Sequence, residues 1–337
     1  MERIRDTLSF EQKHILDSNL ELSLNNGNRE SIYELVNKGA DPTRALHSAI
    51  VKRDLELAKL CVEQGAELNI ERQGETPLIL ATKMHQPEMV HLFLENGANP
   101  RANKSDALAY AAICGEFELL EKMVKHGGKI QLQPEYVMTM AAKHSLETLK
   151  RCEAMGGKLD YDHNALLRYA TEYAGIDVME YLIEKGQSIH TAPDGPNCLS
   201  IAAENGYLEK VEFLLTKGAD PNAQTDTLNK PIINQHNEVV KALIERGADP
   251  TANNDKALYD AVFIGNTEIV TYLIAERKMP VNPETREWLK NSTHNPDCQH
   301  ALQLLEKRDL HDRLEQRFNR PPQAKAKSKS KGFSLKI

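Results

Sequence analysis

The chain has 337 residues, 40% apolar, 27% charged and only 5% aromatic, the balance of an ordinary soluble protein. Its net charge is −7, yet the last eighteen residues hold six bases (Arg320, Lys325, Lys327, Lys329, Lys331, Lys336) and no acid, leaving −13 on the rest. An acidic body excludes a nucleic-acid surface, since phosphate binding needs clustered Lys and Arg, and no apolar run approaches the ~18–20 residues of a membrane span.

The start, Met1-Glu-Arg-Ile-Arg-Asp, lacks the apolar core of a signal peptide. The five cysteines (Cys61, Cys114, Cys152, Cys198, Cys298) stand singly and are odd in number. That predicts free thiols and a reducing, cytoplasmic setting. Residues 1–17 carry Ile4, Leu8, Phe10, Ile15 and Leu16 with weak helical periodicity and are expected to form an N-terminal cap.

From residue 18 to 283 one pattern recurs, a Gly-Ala pair closing a Leu-rich segment. It is clearest at Gly39-Ala-Asp-Pro, Gly97-Ala-Asn-Pro, Gly218-Ala-Asp-Pro and Gly247-Ala-Asp-Pro, and weaker at Gly65, Gly127, Gly156 and Gly186, with Arg277 in place of Gly. The intervals, 26 to 32 residues, define nine repeats. Each reads as two short helices. The first carries small residues, as in Ala111-Ala112, Ala141-Ala142 and Ala202-Ala203, and the second apolar residues at helical spacing, as in Val90, Phe93 and Leu94. Gly at the end of the second helix suits a left-handed cap. Thr76-Pro77-Leu78 opens a first helix with Thr as N-cap and Pro at the first helical position. A pair this short cannot bury its own apolar face, so copies must stack.

The eighth repeat departs. From Ile232 to Gly247 is 15 residues, where Leu78 to Gly97 is 19. This predicts a first helix about one turn short, opened by Pro231 after a long finger from Asp220 to Lys230, with Asn234, Gln235 and His236 where other repeats put Ala-Ala. Residues 284–319, with Trp288, Leu289, Asn295-Pro-Asp and then Leu302, Leu305, Leu314 and Phe318, are expected to form a C-terminal helical cap. Residues 320–337 read as a disordered basic tail. The Lys-Ser run at 325–331 fits a solubility tail, an electrostatic arm or a targeting address, and Gly332-Phe-Ser-Leu-Lys-Ile adds apolar residues that a solubility tail does not need.

The stretch Gly74-Glu-Thr-Pro-Leu-Ile-Leu-Ala-Thr through Val90-His-Leu-Phe-Leu-Glu-Asn-Gly-Ala-Asn99 resembles the ankyrin repeat family, and 197–219 and 258–274 match nearly as well. The family His of the Thr-Pro-Leu-His motif is Ile79 here, and His47 holds that place in the second repeat. The resemblance implies an all-α, ankyrin-type solenoid of helical hairpins with mostly short finger loops, whose work is to bind a protein. In the family the exposed positions of the first helices line a concave groove. Carried over, these are Asn25-Asn26, Val51-Lys52, Lys83-Met84, Ile113-Cys114, Lys143-His144, Glu172-Tyr173, Glu204-Asn205 and Phe263-Ile264. Met84, Ile113, Tyr173, Phe263 and Ile264 are apolar or aromatic there, either as binding anchors or as ordinary core.

The resemblance thus implies an interaction module or adaptor with a protein partner; the chain is expected to be monomeric, with no membrane and, for its acidic body, no nucleic acid. Ankyrin arrays with short C-terminal tails also resemble effectors that intracellular bacteria deliver into host cells, which leaves open a chain that sequesters a host protein in the host cytosol. A third reading, an enzyme with a site in the C-terminal segment, has the least behind it. His294-x3-Cys298-x-His300, with Asp297 and His311 nearby, has zinc-ligand types but fits no standard zinc module, so no metal is expected. A Cys/His pair such as Cys114 with His144 would need assembly across repeats, without an evident orienting acid. No glycine-rich phosphate loop is present, and no cofactor is expected.

Overall fold

The computed structural model describes residues 4–160, 165–190, 196–224, 226–292 and 294–318. They fall into two compact parts, Met1–Ile201 and Ala202–Ile337. Both are helical, and the one sheet-like contact among the described residues is a single bridge from Arg72 to Glu75.

The first part holds six helix pairs. These are α1 Phe10–Asn26 with α2 Arg29–Asn37, α3 Pro42–Val51 with α4 Leu55–Glu63, and α5 Pro77–Lys83 with α6 Pro87–Glu95. Then come α7 Asp106–Cys114 with α8 Phe117–Lys125, α9 Pro134–His144 with α10 Leu146–Ala154, and α11 Ala165–Tyr173 with α12 Ile176–Glu184. The next helix, α13 Cys198–Glu204, contains the division between the parts. Helix α1 is capped by Ser9, whose side chain forms a reciprocal capping box with Gln12, and runs unbroken through residue 17. Thr76 caps α5 by accepting from the Ile79 amide at 3.3 Å, with Pro77 at the first helical position. Asp54 caps α4 and ties it to α2, accepting from the Leu57 amide (3.1 Å), Arg29 Nε (2.5 Å) and the Tyr33 hydroxyl (2.9 Å). The Arg29 guanidinium, chief among these partners, holds its carboxyl at about 2.

Two features set the repeat. The first is the small pair: Ala111, Ala112, Ala141 and Ala142 are fully buried, and α7 packs directly on α9. The second is the residue ending each second helix. Gly39, Gly65, Gly97, Gly127, Gly156, Gly186, Gly218 and Gly247 all lie at φ between 89° and 99°, a region costly for a side chain. At four of these positions in the first part the carbonyl exposed there accepts from a side chain earlier in the chain, ahead of α1 for Gly39 and four residues beyond the preceding closing glycine for the others. Gly39 O accepts from Arg5 (2.9 Å), Gly97 O from Asn69 (3.2 Å), Gly127 O from Arg101 (2.5 Å) and Gly156 O from Gln131 (2.8 Å). Asn69 also accepts from the Asn99 amide at 2.7 Å, so one side chain holds both edges of the turn.

The second part continues with α14 Leu208–Thr216, α15 Asp226–Ile233 with α16 Asn237–Glu245, and α17 Ala252–Phe263 with α18 Thr267–Thr271. Its Asn222 repeats the clamp of Asn69, donating to Gly247 O at 2.8 Å and accepting from the Asp249 amide at 2.8 Å. The eighth repeat corrects the sequence reading. Helix α15 begins at Asp226 and has eight residues against seven in α5, so no turn is missing and the finger ends before Asp226. Leu228, not Ile232, is the counterpart of Leu78. Pro231 sits inside the helix, buried, at the small-pair position, and the polar Asn234 and Gln235 lie in the turn that follows. The ninth repeat differs at its end. A π-helical turn, Tyr272–Glu276, inserts one residue, so Arg277 stays right-handed (φ −83°) and Lys278 takes the left-handed place (φ 49°). The closing bond accordingly spans from Met279 N to Leu273 O, one residue longer than Ala248 N to Leu243 O.

Helices α19 Pro283–Asn291 and α20 Pro296–Phe318 pack against each other and on the ninth repeat. Leu289, Cys298, Ala301 and Leu305 are buried, Arg286 pairs with Asp309 at 2.8 Å, and Arg308 donates to Met279 O at 2.7 Å. Leu314, expected on the buried face, is exposed together with Leu310 one turn earlier. The tail from residue 320 lies outside the described residues.

Pro231 is the sixth residue of α15 and has no N–H to donate to the Thr227 carbonyl. Seven other repeats use Ala at this place. Pro231→Ala should therefore raise stability in chemical denaturation by about 1–3 kcal/mol, less up to ~1 kcal/mol for the looser unfolded chain. A neutral or destabilising result would restore Pro231 as a helix starter.

Candidate partner-binding face

The turn between the two helices of a repeat has its own left-handed residue: Gly27, Arg53, His85, Gly115, Gly206, Gln235 and Gly265 all have positive φ. The residue two places earlier ends the first helix with its side chain toward solvent. In the first part this row holds Val51, 49% exposed, Lys83, and Ile113, which is half-buried. Met84 is half-buried and Tyr173 is 48% exposed. The Tyr173 ring lies 4.7 Å from Tyr169, one turn earlier on α11, and Lys143 Nζ stands 5.5 Å above it. Tyr110 and Tyr136 continue the half-buried tyrosines, with Lys83 Nζ 5.8 Å from the Tyr110 ring and 2.7 Å from Glu75. Burial, and then the neighbouring Tyr110, push the Tyr136 phenol up.

In the second part Phe263 is 70% exposed and Ile264 half-buried. The structure adds residues that the sequence reading missed. Ile233, the counterpart of Phe263 and Ile113, is 48% exposed, and Tyr259 and Trp288 extend the same patch. The signal for Ile233 was in the chain: it lies 14 residues before Gly247, as Ile113 lies before Gly127. Aligning the eighth repeat on Pro231 hid it.

The nucleophile candidates are arranged otherwise than expected. Cys114 meets His85, not His144: Sγ is 3.6 Å from His85 Nε2, whose Nδ1 lies 3.4 Å from Glu116 Oε1. His144 instead bonds the Thr148 hydroxyl at 2.7 Å, with its ring 2.2 Å from where a Cβ on Gly115 would stand. Although an acid does orient His85, burial and the Glu116 charge push the Cys114 thiol up. At neutral pH it is a thiol and a poor nucleophile. Near the C-terminal cap Cys298 is buried, His300 approaches the Thr271 hydroxyl at 3.4 Å, Asp297 faces Gly265 and His294 is exposed. Among the described residues no three His, Cys, Asp or Glu side chains converge to hold an ion, and no helix is long and apolar enough to cross a membrane.

Paired helices closed by left-handed glycines and stacked through small residues define a helical-hairpin repeat protein. The family profile described as "Ankyrin repeats (3 copies)" matches residues 20–104, 46–136, 108–225 and 199–287, and the chain belongs to the ankyrin repeat family. Among curated relatives it is 29% identical over 203 residues to "Ankyrin repeat and KH domain-containing protein mask-1" of Caenorhabditis elegans, covering 58% of this chain and 8% of that protein. It is 25% identical over 186 residues to "Ankyrin repeat domain-containing protein SAT10" of Stachybotrys chartarum (52% and 10%). To "Putative ankyrin repeat protein L371" of Acanthamoeba polyphaga mimivirus it is 23% identical over 168 residues (46% and 19%). The matches thus span less than a fifth of each relative's length.

Cys61, Cys152, Cys198 and Cys298 are buried, so Cys114 should carry the alkylation of the folded chain. Its raised pKa predicts slow reaction at neutral pH, a rate that climbs above the usual cysteine range near 8.5, and acceleration in Glu116→Gln. Fast alkylation that is already flat with pH near neutrality would show an activated thiolate.

Proposed function

We propose that the chain is a non-catalytic, monomeric protein-binding module whose contact surface is the exposed row on the first helices, with Tyr173 and Phe263 as principal anchors and Met84, Ile113 and Ile264 beside them. The observation that carries this reading is Phe263, a large aromatic side chain 70% exposed at the end of a buried helix and stacked on Tyr259. Nothing in the packing of α17 needs a phenylalanine there. Aromatic side chains at such positions are what binding hot spots are made of, because they bury much area at little conformational cost. Family membership supports the same reading, since ankyrin repeats generally mediate protein–protein interactions. Specificity rests in the surface residues rather than in the frame, so the partner is a matter for experiment.

With the partner recovered by cross-linking and capture, Tyr173→Ala and Phe263→Ala should each weaken binding by about 2 kcal/mol, roughly thirtyfold. Phe263→Ala should change the unfolding free energy by no more than ~0.5 kcal/mol, as expected at an exposed position. If stability collapses instead while the folded fraction binds normally, these side chains are core and the surface assignment fails.

A further inference from the structure

In the Ala202–Ile337 part α15 and α17 pack side by side, and α19 packs on α17. Their outward side carries Ile233, Phe263, Tyr259 and the single tryptophan of the chain, Trp288. The Tyr259 ring centroid lies 4.5 Å from that of Trp288 and 6.1 Å from that of Phe263, so the three rings form one patch. With neighbouring helices 8–10 Å apart, the row from Ile233 to Trp288 is about 20 Å long. One turn before Trp288 on the same face of α19 stands Glu284, with Glu287 adjacent. Both are exposed, and neither has an ion-pair partner among the described residues. An apolar row of this length with two acids at its α19 end marks a place where something binds.

The chain beyond Phe318 has the complementary chemistry. Gly332-Phe333-Ser334-Leu335-Lys336-Ile337 alternates apolar and polar residues. When extended, it puts Phe333, Leu335 and Ile337 on one side and spans about 20 Å. Lys325, Lys327, Lys329 and Lys331 precede it, opposite in charge to Glu284 and Glu287. The reach suffices. Helix α20 carries the chain about 35 Å from its start beside α19, and residues 319–331 can bring it back over about 43 Å.

We propose that residues 332–337 of this chain dock, extended, across the row formed by Ile233, Phe263, Tyr259 and Trp288, with the preceding lysines beside Glu284 and Glu287. A tether of this length holds the segment at an effective concentration in the millimolar range, so the contact is intramolecular. The tail then competes for part of the surface that a partner would use. The inference does not rest on that partner, because it is read on the isolated chain.

Trp288 is the built-in probe. In the intact chain its emission should be blue-shifted and its quenching by acrylamide low. Phe333→Ser/Leu335→Ser/Ile337→Ser should shift the emission to the red and raise the quenching constant with unchanged helical circular dichroism. Glu284→Lys/Glu287→Lys should raise the quenching constant in the same direction. Dilution should leave the protection of the intact chain untouched. Identical emission and quenching in the intact and triply substituted chains would overturn the proposal. Protection that is lost on dilution would also overturn it, since the occupant would then be a second copy.

Discussion

The register between successive repeats depends on one unsatisfied group, the carbonyl of the left-handed residue that closes each second helix. A helix that stops in this conformation leaves that oxygen without a partner inside its own repeat. At five of these positions a side chain supplies the donor: Arg5 from the residues ahead of α1, and Asn69, Arg101, Gln131 and Asn222 from the turn after the preceding closing glycine. Apolar stacking drives the association, but it is non-directional. The hydrogen bond fixes how far each copy slides and turns on its neighbour. Asn69 and Asn222 do this most fully, because each also accepts from an amide two residues beyond the glycine.

Once the register is fixed, the surface follows. Small residues at Ala111-Ala112 and Ala141-Ala142 let first helices approach, and the residue just beyond each small pair is forced outward at the helix end. The fold therefore offers one such position per repeat, to be filled at no cost to the core. In this chain several are apolar or aromatic: Val51, Ile113, Ile233 and Phe263. The end of the array uses the same logic in altered form. With a π-helical turn ahead of it, the ninth repeat closes one residue late, at Lys278, and Arg308 of α20 donates to the carbonyl of the next residue, Met279.

Much of this was legible in the sequence, because glycine in a left-handed position is both necessary and visible. The nine repeats, the Thr76 cap and the small pairs all followed from spacing. What failed did so where a side-chain-bearing residue took a left-handed place or proline took an unusual one. Gln235 at φ 60° gives no mark in the sequence, so the eighth repeat was aligned on Pro231, the residue most readily taken for a helix start. That error concealed Ile233. The Cys114 pairing failed for a related reason: His85, left-handed at φ 54°, projects toward the neighbouring repeat, and nothing in its sequence context shows the direction. The Tyr259–Trp288 contact joins a repeat to the cap, beyond the reach of any periodicity.

The central claim is that the side-chain clamp on the closing carbonyl holds neighbouring repeats in register. Amide hydrogen exchange on Asn222→Ala tests it most directly, since the change removes two hydrogen bonds worth about 1 kcal/mol each and leaves the apolar stack intact. The account predicts faster exchange concentrated in α15, α16 and the turn at Gly247, with α1 to α10 unchanged. Unaltered protection in α15 and α16, or an equal loss along the whole chain, would contradict it.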